Sequence, residues 1–232
     1  MPSPPISPPT QTLDKGETHL PQGHPAGGAK GGVSMERRPT EVRMVRIDRP
    51  LTAAEQDALL GLLPPVRQMG RPTEKQLETL WAYGLLLALL RERYGWRTLP
   101  DVARSAEGKP YFPAYPTVCF SLSHTEGAAA AAVSDAPVGV DIQRVRPLSD
   151  RARRRAPSTA EAFFRDWVRW EARAKRTGGG LLTMVRREPP LAEGEVYTPL
   201  AAFPGCEAGV AAAEAVESVG YLTADDLLRA LL

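Results

Sequence analysis

Cysteine and histidine are scarce in this chain. Its two cysteines, Cys119 and Cys206, offer no metal-ligand spacing. With no signal peptide in view, both read as free thiols of a reducing cytoplasm. Of the three histidines, His19 and His24 fall in a Pro- and Gly-rich leader, where a pair of imidazoles is weak support for a metal. Long apolar runs are missing as well. The most apolar stretch, LWAYGLLLALL at 80–90, is too short for a membrane span and is flanked by charges. Charge of one sign is not in excess: the formal net charge is +2, and nothing global calls for nucleic acid. What remains is 232 residues, 43% hydrophobic and 24% charged, enough for one large domain or two small ones with a buried core.

Residues 1–34 contain almost no large apolar side chains. Such a segment cannot bury enough surface to order itself, so disorder is expected. Lys30-Gly31-Gly32 can also be encoded by a purine-rich ribosome-binding sequence a few nucleotides ahead of a Met35 codon. The expectation is therefore a native start at Met35, with 1–34 a translated leader. A mass spectrum of the native-host protein that contains residues 1–34 would sink it.

From residue 41 onward the pattern alternates between strand and helix. EVRMVRID at 41–48 has strand alternation, and 51–64 has helical spacing up to Pro64-Pro65. The clearest helix runs through PTEKQLETLWAYGLLLALLRERYG. Thr73 and Gln76 form a capping box there, Gly95 is the stop, and Leu77, Leu80, Trp81, Gly84, Leu87 and Ala88 make the buried stripe. Short strands follow at 117–124, 128–134 and 138–145, with TEG and DAP between them at hairpin distances. A basic irregular stretch has six Arg among residues 144–155. The second long helix, about 159–177, is capped by Ser158 with Glu161 and stops at Gly178-Gly179-Gly180. LLTMVRRE, GEVYTPLAAF and AGVAAAEAVE read as strands of a meander, and Thr223 caps a short terminal helix. The element order implies an α+β fold of two similar subdomains, 35–136 and 137–232, each an antiparallel sheet on a long helix.

Two segments carry the chemistry. In VGVDIQ, alternation puts Val138, Val140 and Ile142 on one face and Gly139, Asp141 and Gln143 on the other. Asp141 and Gln143 then present oxygens about 7 Å apart, on either a solvated strand face or a site. In WVRWEARAK, Phe164, Trp167, Glu171 and Lys175 share one helix stripe, with Arg165, Asp166, Arg169, Arg173 and Arg176 opposite. Glu171 and Lys175 make either an i, i+4 ion pair or part of a site. Asp141, Gln143 and Glu171 are hard oxygen donors of the kind that hold Mg²⁺ beside substrate phosphates. Lys175, Lys109 in GKP and His124 in SLSH are candidate phosphate contacts.

GKPYF, FSLSH, VGVDIQ and WVRWEARAK, in that order and followed by a Gly-rich turn, resemble the 4′-phosphopantetheinyl transferases. The likeness covers about 41–232 and is to the broad-specificity, pseudo-dimeric bacterial type that activates surfactin synthetase. The resemblance implies transfer of the 4′-phosphopantetheine arm of coenzyme A to a serine of an apo acyl or peptidyl carrier protein, with Mg²⁺, releasing 3′,5′-ADP. It implies a cytoplasmic monomer with internal pseudo-twofold symmetry and no nucleic-acid or membrane partner. By position, Asp141, Gln143 and Glu171 would be the metal ligands, and Glu171 also the base for the carrier serine. Lys175 would meet the transferring phosphate. Lys109, Ser123 and His124 would hold the coenzyme phosphates, the 3′-phosphate at His124. Thr79 would lie near the adenosine end, with Arg67 and Arg71 as basic residues for the 3′-phosphate.

Three departures from the family pattern stand out. Gln143 replaces a usual Glu, removing a negative charge from the metal set. Trp170 replaces the Lys before Glu171, which reads as a packing change. The span from Gln143 to Glu171 leaves little room for the family's carrier-facing loop. The other reading is therefore a catalytically degenerate paralogue that binds coenzyme A or a carrier without transfer. The Arg-rich loop either steers an acidic carrier or is a solvated loop.

Overall fold

The computed structural model describes residues 37–63, 74–149, 159–179 and 188–232. The expected leader, the Thr73 end of the first capping box, residues 150–158 of the Arg-rich stretch and all but the end of LLTMVRRE lie outside them. Residues 37–232 form one unit by their contacts.

The elements in order are β1 (Glu41–Arg46), α1 (Ala53–Leu62), α2 (Glu74–Tyr94), β2 (Ala103–Arg104) and β3 (Pro110–Tyr111). β4 (Cys119–Thr125), β5 (Ala128–Ser134), β6 (Gly139–Arg144) and α3 (Ala160–Thr177) follow. β7 (Val196–Leu200), β8 (Cys206–Ala212), β9 (Val219–Thr223) and α4 (Ala224–Leu231) complete the chain. The fold is mixed α+β, as expected. One sheet has the order β4-β5-β1-β9, a second β6-β8-β7, and β2 with β3 makes a small ribbon. No described helix is long and apolar enough to cross a membrane.

The layers follow from which strand faces are apolar. β5 is a run of alanines buried on both sides. Ala129, Ala131 and Val133 belong to a core with α2, α1 and α4. Ala128, Ala130 and Ala132 face the other way and pack with Val140, Ile142, Ala208 and Val210 of the second sheet. The two sheets therefore meet face to face, with α2 outside the first and α3 outside the second. Helix α2 is buried on all sides from Leu80 to Leu90, rather than along the single stripe its spacing suggests. The physical reason is a second neighbour: α4 and α1 cover its outer face, and Leu231 Cδ1 would come within 3.3 Å of a Cβ at Gly84. A helix that is apolar all round needs such cover.

TEG does form a hairpin, with Thr125 paired to Ala128 and Gly127 at φ +80°. DAP does not, because β5 and β6 belong to different sheets. The two described strands of the closing meander, β7 and β8, pair antiparallel as expected; β6 lies on the other side of β8, and β9, which the sequence reading does not assign to the meander, pairs parallel with β1. The cap of α3 is Thr159, whose hydroxyl accepts from the Ala162 amide at 3.2 Å, one residue after the expected Ser158. Its other end stops as expected, at Gly178 in the left-handed region.

Candidate active site

The site lies where the first sheet's edge strand β4 meets the second sheet's edge strand β6. No backbone ladder joins them. Instead the hydroxyls of Ser121, Ser123 and Thr125, alternate residues on one face of β4, accept from the amides of Val140, Ile142 and Arg144 at 3.0, 3.3 and 3.1 Å. Every second β6 amide, the set turned away from β8, thus finds a side-chain acceptor. Gly139 lets α3 close on the far side, since a Cβ there would lie 2.0 Å from the Ala172 carbonyl oxygen.

Between these contacts sits Asp141, with 0% of its surface exposed. This removes the reading of a solvated strand face. Its Oδ1 accepts from Ser123 Oγ at 2.6 Å and from Lys175 Nζ at 2.8 Å, and its Oδ2 accepts from Gln143 Nε2 at 3.2 Å. Burial pushes the Asp141 carboxyl up from its ordinary value, opposed by the adjacent Lys175 ammonium and reinforced by the Glu171 carboxylate. Glu171 Oε2 accepts from the Trp167 indole at 2.8 Å and from Gln143 Nε2 at 3.4 Å, and its Oε1 lies 3.4 Å from Lys175 Nζ. The i, i+4 pair therefore exists, but Lys175 stands nearer to Asp141 than to Glu171. The sequence-derived stripe is a rim. Phe164, Val168 and Ala172 are the buried line of α3, while Trp167, Glu171 and Lys175 are half-buried beside it.

The remaining expected residues are dispersed around this cluster. The Ser123 hydroxyl is held by Asp141, Lys175 and the Ile142 amide. It acts as a bracket rather than an open phosphate contact. His124, next on β4, points to the opposite face. Its Nε2 is 3.3 Å from Thr79 Oγ1 and its Nδ1 is 3.0 Å from Glu78 Oε2. Lys109 Nζ donates to the Val138 and Arg176 carbonyls at 3.1 and 2.9 Å. Burial holds that ammonium below the usual lysine range. It ties the last turn of α3 to the start of β6, so its charge is already engaged. Arg67 and Arg71 lie outside the described residues.

Glu171 lines two cavities. One of about 280 Å³ adjoins Lys109, Lys175, Gly178 and Gly179. The other, of about 380 Å³, is walled by Phe163, Phe164, Trp167, Gln143 and Arg146.

Sequence reasoning missed three side chains. Glu78 partners His124, and only the fold brings it there. The Trp167 indole donates to Glu171 across an i, i+4 spacing, which the shared stripe allows but does not single out. Arg173, assigned to the polar side of α3, is buried. All five of its N–H groups are used, on Glu188, Glu195 and the Pro189 and Pro190 carbonyls. Trp170 joins this clamp by donating to Glu188 at 2.8 Å, more than the packing change expected.

Among the described residues no three His, Cys, Asp or Glu side chains cluster as a metal site. The donor chemistry nonetheless fits a hard cation that keeps waters and takes substrate phosphate oxygens: two carboxylates, one buried and one half-buried. Gln143 fits less directly, because its amide nitrogen faces both carboxylates. A flip of that amide would present the oxygen instead.

No protein-family model matches the chain. Curated proteins do. The chain is 28% identical over 156 residues to a 4′-phosphopantetheinyl transferase of Bacillus subtilis, covering 59% of this chain and 70% of that one. A second Bacillus subtilis protein, 4′-phosphopantetheinyl transferase ffp, is 27% identical over 157 residues with the same coverages, 59% and 70%. The 4′-phosphopantetheinyl transferase AcpT of Salmonella typhimurium is 33% identical over 104 residues, 38% of this chain and 54% of its own. The chain is thus a relative of the 4′-phosphopantetheinyl transferases, a superfamily of transferase enzymes.

Proposed function

We propose that the chain moves the 4′-phosphopantetheine arm of coenzyme A onto a serine hydroxyl of an apo acyl or peptidyl carrier protein, with Mg²⁺, releasing 3′,5′-ADP. The carrying observation is the buried Asp141, bonded to Lys175 and linked through Gln143 to Glu171. It acts in the cytoplasm as a monomer of the broad-specificity type, with two pseudo-symmetric sheet-and-helix halves that divide at 136/137, the last strand and helix, β9 and α4, crossing back to the first half.

The carrier serine Oγ attacks the phosphorus bearing the pantetheine arm, and the P–O bond to the adenylate half breaks. Glu171, half-exposed between the two cavities, takes the serine proton. Lys175 neutralises charge on the transferring phosphate. The reaction is mostly positioning and charge neutralisation, which suits groups fixed this closely. Asp141, Glu171 and, after an amide flip, Gln143 would hold Mg²⁺, which would supply charge stabilisation on the diphosphate.

The amide nitrogen of Gln143 facing both carboxylates favours one second reading, a chain that binds coenzyme A or a carrier without transfer. One assay decides between them. Protein, Mg²⁺, coenzyme A and an apo-carrier are incubated, and the carrier mass is read. Transfer adds the phosphopantetheine increment, and Glu171→Gln, which keeps an acceptor for the Trp167 indole, lowers its rate by roughly 10²–10⁴-fold with the fold retained. A carrier mass that never rises supports the non-transferring paralogue.

A further inference from the structure

Glu78 stands on α2 next to Thr79, and its Oε2 is 3.0 Å from His124 Nδ1. His124 Nε2 is 3.3 Å from Thr79 Oγ1. The three side chains form a hydrogen-bonded row from α2 to the end of β4. An ionised carboxylate only accepts, so Nδ1 carries a proton. Two charge states follow for the Glu78–His124 pair. With a neutral imidazole its net charge is −1; with an imidazolium it is zero. In neither state does the pair offer net positive charge. The side chains of Glu78 and His124 are 34% and 35% exposed, so a bound group could reach them.

Resting on the reading that the ribose end of coenzyme A lies at Thr79 and His124, the geometry points to Glu78 as a specificity-determining residue that weakens selection for the donor's 3′-phosphate. A phosphate set against this row meets a carboxylate within Coulomb range, and it finds a donor at His124 Nε2 only when the imidazole is doubly protonated, since Nδ1–H is given to Glu78. A ribose hydroxyl at the same place can donate to or accept from the row without that cost. The donor class is therefore the phosphopantetheine–adenylate diphosphate with or without its 3′-phosphate. Coenzyme A and 3′-dephospho-coenzyme A both serve.

The test uses the full chain and calorimetric binding of coenzyme A and of 3′-dephospho-coenzyme A, without carrier. The wild type should bind both within about tenfold. Glu78→Gln, isosteric at a part-exposed position, should tighten coenzyme A by on the order of tenfold while moving the dephosphorylated donor less than about twofold. Glu78→Asp should keep the wild-type ratio. If Glu78→Gln weakens coenzyme A, or shifts both donors equally, the proposal is overturned and Glu78 instead holds His124 for the phosphate. If neither donor binds the wild type, the transferase reading itself falls, and this inference with it.

Discussion

At the scale of single residues, the site depends on how two carboxylates are kept close together. Lys175 and the Gln143 amide do this, each bonding to or pairing with both Asp141 and Glu171. Gln143→Glu removes one of these donors and adds a third carboxylate. Without divalent cation the variant should melt lower than wild type. With Mg²⁺ it should regain stability and show a larger Mg²⁺-dependent rise in melting temperature than wild type, because binding to the native state stabilises it. Identical melts in both conditions would place residue 143 outside the metal's ligands. Strand alternation and helix spacing are local rules, and they single out Asp141, Glu171 and Lys175, three side chains that the fold brings together. Glu78 was invisible to those rules, since its partner lies 46 residues away. Ser123 was seen, but its hydroxyl is turned inward by a strand that pairing rules do not connect to it.

Among the elements, α3 shows where pattern reading ends. Its start was misplaced by one residue, because Ser158 and Thr159 have equal capping chemistry. Periodicity puts Arg173 opposite the stripe of Phe164 and Trp167, with the other charged side chains, yet it is buried. Its burial is decided by Glu188 and Glu195, which come after the Gly-rich turn. That clamp makes stability depend on acid. Hydrogen bonds from Arg169 hold the Glu188 carboxyl down from 4.5 to about 2. A depressed carboxyl contributes stability that is present above its unfolded value and lost as pH falls through the folded one. Wild-type melting temperature should therefore drop between about pH 4.5 and 2. Glu188→Gln should melt lower at neutral pH and follow a flatter course through that window. Parallel curves for the two proteins would show that the clamp does not set acid stability.

For the whole molecule, the layering of helix, sheet, sheet and helix came out of element order only in part. Each long helix and most strands were legible, because their apolar periods are strong. The placement of β9 beside β1 was not, since a parallel pairing across 177 residues, such as Val42 with Val219, leaves no local mark. It has a thermodynamic consequence: the chain's end completes the first core. Leu227 of α4 is 1% exposed in that core. Leu227→Ala should cost about 2–5 kcal/mol in denaturant unfolding. A loss below about 1 kcal/mol would mean the terminal helix is only loosely held. The row of β4 hydroxyls on β6 amides sets a different property. A backbone ladder holds two strands in fixed register, and sliding one past the other breaks several bonds together. A hydroxyl acceptor swivels about its own side-chain bond and keeps its partner through a small displacement. The seam between the sheets is therefore held by side-chain rotamers and by the apolar core the two sheets share, not by a backbone ladder. Asp141 belongs to the second sheet and His124 to the first, so the packing between the sheets, rather than strand register, fixes the spacing of these two side chains.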